Sequence, residues 1–269
     1  LGSLNILFLQ GNTIVELEAL AFDGLKLTFL GTYNYKVCCV YSKEDIICPV
    51  VWHWMSSCDD MLSNPIMRVI IWVISSISIL FNFFCLFLRL AKHKRKPFDM
   101  LLMSLCLSDS MYGFYLLIIG LTDTTLRGNF VVHEETWRSS MLCKIAGFIS
   151  LFSMVFSAYV LFLITFFRTM SVCFPLNLKY KSLKTTVNLI LGGFVSFLTI
   201  ISILSLYYYI IEGKTQVPNI TCLFFDIGFQ SYALGFATVL FIFIQLLCLC
   251  LISFLYLILI LSMRKAQKR

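Results

Sequence analysis

The amino-acid sequence predicts an all-α membrane protein: a bundle of five membrane-spanning helices, preceded by the end of a repeat solenoid and a cysteine-bearing hinge. Three observations carry that prediction. Hydrophobic residues fill 59% of 269 positions and the mean hydropathy is +0.90, beyond what a domain folded in water carries. Five apolar stretches, at 66–88, 98–121, 143–167, 186–208 and 232–263, each exceed the roughly 20 residues that a bilayer crossing requires. Their charge flanks alternate in sign, and strict two-residue alternation is absent, so the spans are helices rather than barrel strands.

The head comes first. Leu4, Leu7, Leu9, Asn12 and Ile14 fit the leucine-rich-repeat template of three leucines, an asparagine and a closing aliphatic residue. In that template the leucines fill the solenoid core and the asparagine bonds the turn backbone. A second repeat starts near Leu27 and continues at Leu30, after a connecting arc at Phe22-Asp23-Gly24-Leu25. One and a half repeats cannot bury a stable core, so residues 1–37 are expected to be the last piece of a longer horseshoe, capped at Cys38-Cys39.

Residues 38–65 form the hinge, which carries Cys48, Cys58, Trp52 and Trp54. The tryptophans suit either an interfacial belt or the packing of the cap. Two bridges are expected, each joining one of Cys38 and Cys39 to one of Cys48 and Cys58, because pairing adjacent cysteines is strained. Both such connectivities stay open.

Residues 66–269 carry the spans, and charge orients them. Arg89, Lys92, Lys94, Arg95 and Lys96 follow the first span; Arg168, Lys179, Lys181 and Lys184 follow the third; Arg264, Lys265, Lys268 and Arg269 close the chain. Acids collect elsewhere: Glu16, Glu18, Asp23, Glu44, Asp45, Asp59 and Asp60 in the head, and Asp123, Glu134, Glu135, Glu212 and Asp226 in the remaining loops. The positive-inside rule then places the head outside and the tail in the cytoplasm. The net charge of +7 thus reflects topology, not nucleic-acid binding. Cys143 and Cys222 fall outside with the four hinge cysteines, whereas Cys85, Cys106, Cys173, Cys248 and Cys250 lie in or below the membrane and are expected to stay reduced. Asn219-Ile220-Thr221 is a glycosylation acceptor on the outer side.

Inside the spans, Asp109 is the ionisable residue nearest the middle of a helix, about 16 Å along from Phe98. A charge at that depth costs several kcal/mol unless paired or hydrated. Asn82 and Ser157 are its natural partners. No chemistry of an enzyme is legible: His53, His93 and His133 are scattered without metal spacing, and no glycine-rich phosphate loop appears.

The third span, with Cys143, Arg168 twenty-five residues later and then Pro175-Leu176, resembles that of the rhodopsin-like G-protein-coupled receptors. Together with the repeat-bearing head, the chain resembles the leucine-rich-repeat-containing G-protein-coupled receptors, and within them the relaxin family peptide receptors. The matching strings are Ser57-Cys58-Asp59-Asp60-Met61-Leu62-Ser63-Asn64, Arg68-Val69, Trp72-Val73-Ile74-Ser75 and Leu126-Arg127-Gly128-Asn129 with His133 and Trp137. The resemblance implies a rhodopsin-like helical bundle, represented by the first five of seven transmembrane helices. It also implies a relaxin- or insulin-like peptide hormone outside and a heterotrimeric G protein inside, coupled to adenylyl cyclase, in the plasma membrane.

Residue by residue, the resemblance implies a Cys143–Cys222 disulfide, a sodium ion held at Asp109 with Asn82 and Ser157, and G-protein contacts at Arg168, Pro175 and Leu176; no other cofactor is expected. The chain departs from the family pattern at Phe167, where an acid is expected before the arginine, and at Thr169, Phe81 and Gly192. The lost intrahelical ion pair at Phe167 is worth only about 0.3–1 kcal/mol at a wet interface, enough to bias a balanced switch and too little to unfold a helix. Nothing corresponds to the sixth and seventh helices, so a fragment or truncated form is expected. The alternative is a five-span, non-signalling decoy or adhesion protein that associates with full-length receptor as a dimer. Membrane lipid is a partner under either account.

Overall fold

A computed structural model describes residues 4–10, 22, 24–32, 35–40, 47–48, 56–93, 96–173, 185–197, 200, 220–223 and 232–267. Asn12, Trp52, Trp54, His53, Pro175, Leu176 and Asn219 lie outside these residues. In chain order the elements are β1 (Ile6–Phe8), β2 (Phe29–Gly31), α1 (Tyr35–Val40), α2 (Pro65–Leu90), α3 (Pro97–Thr125), α4 (Phe130–Ser139) and α5 (Met141–Cys173). Then follow α6 (Thr185–Phe197) and α7 (Tyr232–Gln267). The chain forms two compact units, Leu1–Val69 with Leu121–Thr136, and Ile70–Gly120 with Trp137–Arg269.

In the first unit β1 and β2 pair in parallel, Ile6 opposite Phe29 and Leu7 opposite Leu30. Because successive strand residues point to opposite faces, Leu7 and Leu30 turn inward onto Leu4, Leu9, Leu25, Leu27 and Val37, while Ile6 and Phe8 are exposed. The adjacent cysteines of α1 point about 100° apart around the helix, so each meets a different partner. Cys38 bonds Cys48, which packs on the repeat core, and Cys39 bonds Cys58 of the hinge. Their Cα separations, 6.2 and 5.3 Å, suit a bridge.

The hinge beyond Cys58 is fastened by backbone and charge. The Cys58 carbonyl accepts the Val131 N–H (3.1 Å), and the Asp59 carbonyl accepts those of Gly128 (2.8 Å) and Phe130 (3.2 Å). Asp123, with 0% of its surface exposed, accepts the Leu62 N–H at 2.9 Å and lies 2.8 Å from Arg68 Nε. Arg68 also reaches Asp60 at 3.2 Å and donates to the Leu62 carbonyl at 2.8 Å. Met61, Leu62 and Phe130 are buried beside this cluster, and Lys36 pairs with Glu135 at 2.9 Å and Glu134 at 3.7 Å.

Two expectations are corrected here. Asp123 sits on a helix, because α3 runs one turn past the apolar stretch to Thr125, where Arg68 and Arg127 compensate the carboxylate. Glu134 and Glu135 also lie on a helix, α4, ten residues too short and too polar to register as a span. Its buried Phe130, Glu134 and Trp137 recur at helical spacing on one face.

In the second unit the apolar pattern is turned outward. Half of the most apolar window of α5 is buried, against 6% in α2 and 6% in the 245–264 stretch of α7. By that measure α5 is the most buried of the described spans, while α2 and α7 present mostly exposed apolar surface. Four described helices are long and apolar enough to span, and α6 is shorter because residues 198–199 and 201–208 of the fourth expected span lie outside those described.

Each helix starts where its cap allows. Asn64 Oδ1 accepts the Ile66 N–H (2.9 Å) with Pro65 in the first turn of α2. Asp99 accepts the Lys96 N–H (3.2 Å) with Pro97 opening α3, and Ser140 Oγ accepts the Cys143 N–H (3.1 Å) ahead of α5.

Without a hydrophobic drive between helices in lipid, small residues and hydroxyls make the contacts. Ser75 and Ser78 of α2 donate to the Gly113 and Asp109 carbonyls of α3, at 3.1 and 2.7 Å. Ser108 of α3 donates to the Ser153 carbonyl of α5 at 2.9 Å. At Gly113 a Cβ would stand 2.9 Å from Ile79 Cγ1, so only glycine permits this approach. Around α5, Phe152 meets Phe156 (5.1 Å), Phe197 (5.3 Å) and Phe194 (5.4 Å) in an aromatic core with Leu101 and Val160.

Tyr159 of α5 seals the contact with α6: its hydroxyl donates to the Leu189 carbonyl (3.0 Å) and its ring occupies the space a Cβ at Gly193 would need. Gly193→Ala is therefore expected to destabilise the bundle by about 1–3 kcal/mol through overpacking. Thermal unfolding in detergent checks this, and Tyr159→Ala in the same chain should recover part of the loss. An unchanged melting temperature for Gly193→Ala would refute the contact.

Candidate functional site in the helical bundle

Three levels of chemistry are strung along α5. Helical rise sets them about 21 Å apart from Cys143 to Ser157 and about 17 Å from Ser157 to Arg168.

At the first level Cys143 is bonded to Cys222, with Cα atoms 5.1 Å apart. Two further anchors hold the same short segment: Trp137 Nε1 donates to the Ile220 carbonyl (3.0 Å) and the Tyr115 hydroxyl donates to the Thr221 carbonyl (2.9 Å). Cys222 adopts a φ of 64°, a left-handed conformation uncommon for a residue with a side chain. The bridge and both aromatic donors converge on that turn.

At the second level Ser157 Oγ donates to Asp109 Oδ1 at 2.7 Å. Asp109, Ser157 and Asn82 line one cavity of about 660 Å³, so the structure brings the three residues to a common space. Asn82 does not bond the carboxylate; its Nδ2 donates to the Ser78 carbonyl at 2.8 Å. Ser78, Tyr112 and Ser153 add polar groups from α2, α3 and α5, and Gln245 and Cys248 add them from α7. Sequence reasoning missed the α7 contribution, although Gln245 is a polar side chain within an apolar span and carries the signal that flagged Asp109. The cavity offers one carboxylate, hydroxyls and amides, hard oxygen donors suited to a small cation.

At the third level the Arg168 guanidinium lies over the Phe98 ring, 4.9 Å from its centroid. Phe167 stands where a carboxylate would pair with it, and among the described residues no acid does so. Beside this level Asp99 binds Arg89 (2.7 Å) and Lys92 (2.9 Å), joining the start of α3 to the end of α2. Thr169 Oγ donates to Leu255 O (3.4 Å) and Cys173 Sγ lies 3.3 Å from Ser262 Oγ, which ties the same end of α5 to α7. Pro175, Leu176 and Asn219 lie outside the described residues.

Comparison with known proteins places this geometry in a family. The profile described as 7 transmembrane receptor (rhodopsin family) matches residues 82–269. The chain is 37% identical over 168 residues to G-protein coupled receptor GRL101 of Lymnaea stagnalis, which covers 62% of the chain and 15% of that protein. It is 29% identical over 205 residues to relaxin receptor 2 of Homo sapiens, covering 73% of the chain and 27% of the relative. With thyrotropin receptor of Mus musculus it shares 29% identity over 170 residues, 62% of the chain and 22% of the relative. The chain thus spans about a quarter or less of the length of these relatives, each of which bears a receptor's name. With the profile covering well over half of its residues, this multi-pass membrane chain belongs to the rhodopsin family of seven-transmembrane receptors.

Proposed function

We propose that the chain is the membrane-embedded part of a receptor for a relaxin- or insulin-like peptide hormone, passing its signal to a heterotrimeric G protein. The observation that carries the ligand class is the reach of the similarity. Relaxin receptor 2 of two species aligns over 73% and 78% of the chain at 29% and 28% identity, whereas the thyrotropin receptors align over 61–62% at 29%. The head supports the same account: two parallel strands pair residues 23 apart, Ile6 with Phe29, and the Thr28 hydroxyl donates to the Asn5 carbonyl just before them, the step of a leucine-rich repeat. In this reading the head and Asn219 face outward and Arg168, Pro175 and Leu176 face the G protein.

Expressing the complete receptor that carries this chain and measuring second-messenger output tests the assignment. A response to a relaxin-like peptide, abolished by Arg168→Ala, is expected. A response to a glycoprotein hormone with none to relaxin-like peptides would overturn it.

The Asp109 cavity adds regulation by sodium. Asp109 and Ser157 would hold the ion with the amide oxygen of Asn82, and the ion would favour the state with lower hormone affinity, as any ligand shifts a conformational equilibrium toward the state it binds better. Sodium is therefore expected to weaken hormone binding by the complete receptor, and Asp109→Asn to remove that dependence. Binding isotherms in sodium and in an equal concentration of a bulky organic cation decide it; the idea fails if both proteins respond alike.

A further inference from the structure

Arg168 and Ser171 stand three residues apart on the last turns of α5, and three residues is the spacing at which helical side chains become neighbours. Ser171 is exposed, its hydroxyl donating only locally to the Phe167 carbonyl at 2.8 Å. Thr169, the other hydroxyl beside Arg168, is 6% exposed; it donates to the Thr165 carbonyl at 2.9 Å and lies 3.4 Å from the Leu255 carbonyl of α7. Ser171 lies twenty-eight residues beyond Cys143, about 42 Å along the helix, past the roughly 30 Å of a bilayer's hydrocarbon. Helix α5 ends two residues later at Cys173.

We infer that Ser171 is a phosphorylation site for a basophilic protein kinase that reads Arg168, and that the phosphate turns the arginine away from its inner-face partner. The inference rests on the proposed orientation, with this end of α5 in the cytoplasm where ATP and kinases are. An acidic kinase cleft recognises the guanidinium three residues before the acceptor by charge complementarity. Ser171 Oγ attacks the γ-phosphorus of ATP; the Oγ–P bond forms, the bond to the β,γ-bridging oxygen breaks, ADP departs, and the hydroxyl proton passes to the kinase's catalytic carboxylate. The product carries a charge of about −1.5 to −2 one helical turn from Arg168. That charge supplies the acidic partner that Phe167 does not. It draws the guanidinium off the Phe98 ring into a charge-assisted pair, so the arginine no longer presents itself to a G-protein tail.

The full chain, expressed in cells with phosphatases inhibited, is mapped for phosphopeptides in parallel with Ser171→Ala, Thr169→Val and Arg168→Gln variants. Phosphate localised to Ser171, retained in Thr169→Val and lost in both Ser171→Ala and Arg168→Gln, is the expected result. Phosphate on Thr169, or on Ser171 irrespective of Arg168, overturns the inference. A Ser171→Cys variant in a Cys173→Ser background, compared with that background alone and probed with an impermeant maleimide in intact and in permeabilised cells, separates the two layers of the argument. Labelling in intact cells overturns the orientation and the inference together. Labelling only after permeabilisation, with Ser171 of the parent chain unphosphorylated, overturns the inference alone.

Discussion

Replacing Cys143 or Cys222 by serine is expected to lower stability by about 4–5 kcal/mol, the largest single effect foreseen in the bundle. The bridge closes a loop of 79 residues, and the chain-entropy account of such a loop gives roughly that value. The loss falls on a segment whose other holds, Trp137 on Ile220 and Tyr115 on Thr221, are single hydrogen bonds worth about 1 kcal/mol each. Neither can hold the positive φ of Cys222 in place alone. Surface delivery and the melting temperature in detergent should both fall, and Cys143→Ser with Cys222→Ser should match the single variants, since one broken bridge is the common cause. A melting temperature equal to the parent's would show that the bridge holds nothing.

The second large effect is expected at Asp123. Removing its carboxylate with Asp123→Ala leaves the Leu62 N–H and the Arg68 guanidinium without their shared acceptor, at a cost of about 3 kcal/mol. Arg68 is partly exposed and keeps Asp60, which holds the figure at the lower end of the range for buried pairs. Asp123→Asn should fall between parent and alanine, because the amide oxygen still accepts from Leu62 while the charge is lost. Arg68→Leu combined with Asp123→Leu should cost less than the two single changes summed, as coupled partners do. The exposed Lys36–Glu135 pair is the control, worth at most about 1 kcal/mol. Strict additivity of Arg68→Leu and Asp123→Leu would refute the coupling.

The exposed apolar surfaces of α2 and α7 bear on the family assignment in a similar way. In water their exposed phenylalanines and leucines would be aggregation-prone; in hydrocarbon they are solvent contacts, and the polar groups turned inward become the informative ones. Asp109, Ser157, Asn82 and Gln245 all line the same cavity. An intramembrane polar side chain is costly wherever it points to lipid, so function and folding select the same inward direction.

The linear chain by itself marked four of its five expected spans, the six cysteines that form bridges, and the three levels of α5. These are local or additive properties: hydropathy summed over about 20 residues marks a crossing, and a rise of about 1.5 Å per residue converts Cys143, Ser157 and Arg168 into depths. Tertiary structure decided what depends on direction. Cys38 took Cys48 and Cys39 took Cys58 because neighbouring helical residues point to different sides, which spacing does not reveal. Asp123 passed from an expected loop acid to the buried centre of the hinge cluster because Arg68, fifty-five positions earlier, reaches it. Gly193 gained a role only through Tyr159 on another helix, and the cavity gained Gln245 and Cys248 only once α7 packed beside α5. Each of these is a contact between residues far apart in sequence. A pattern read along the chain records which side chains seek a partner, and packing alone selects which partner lies within about 3 Å.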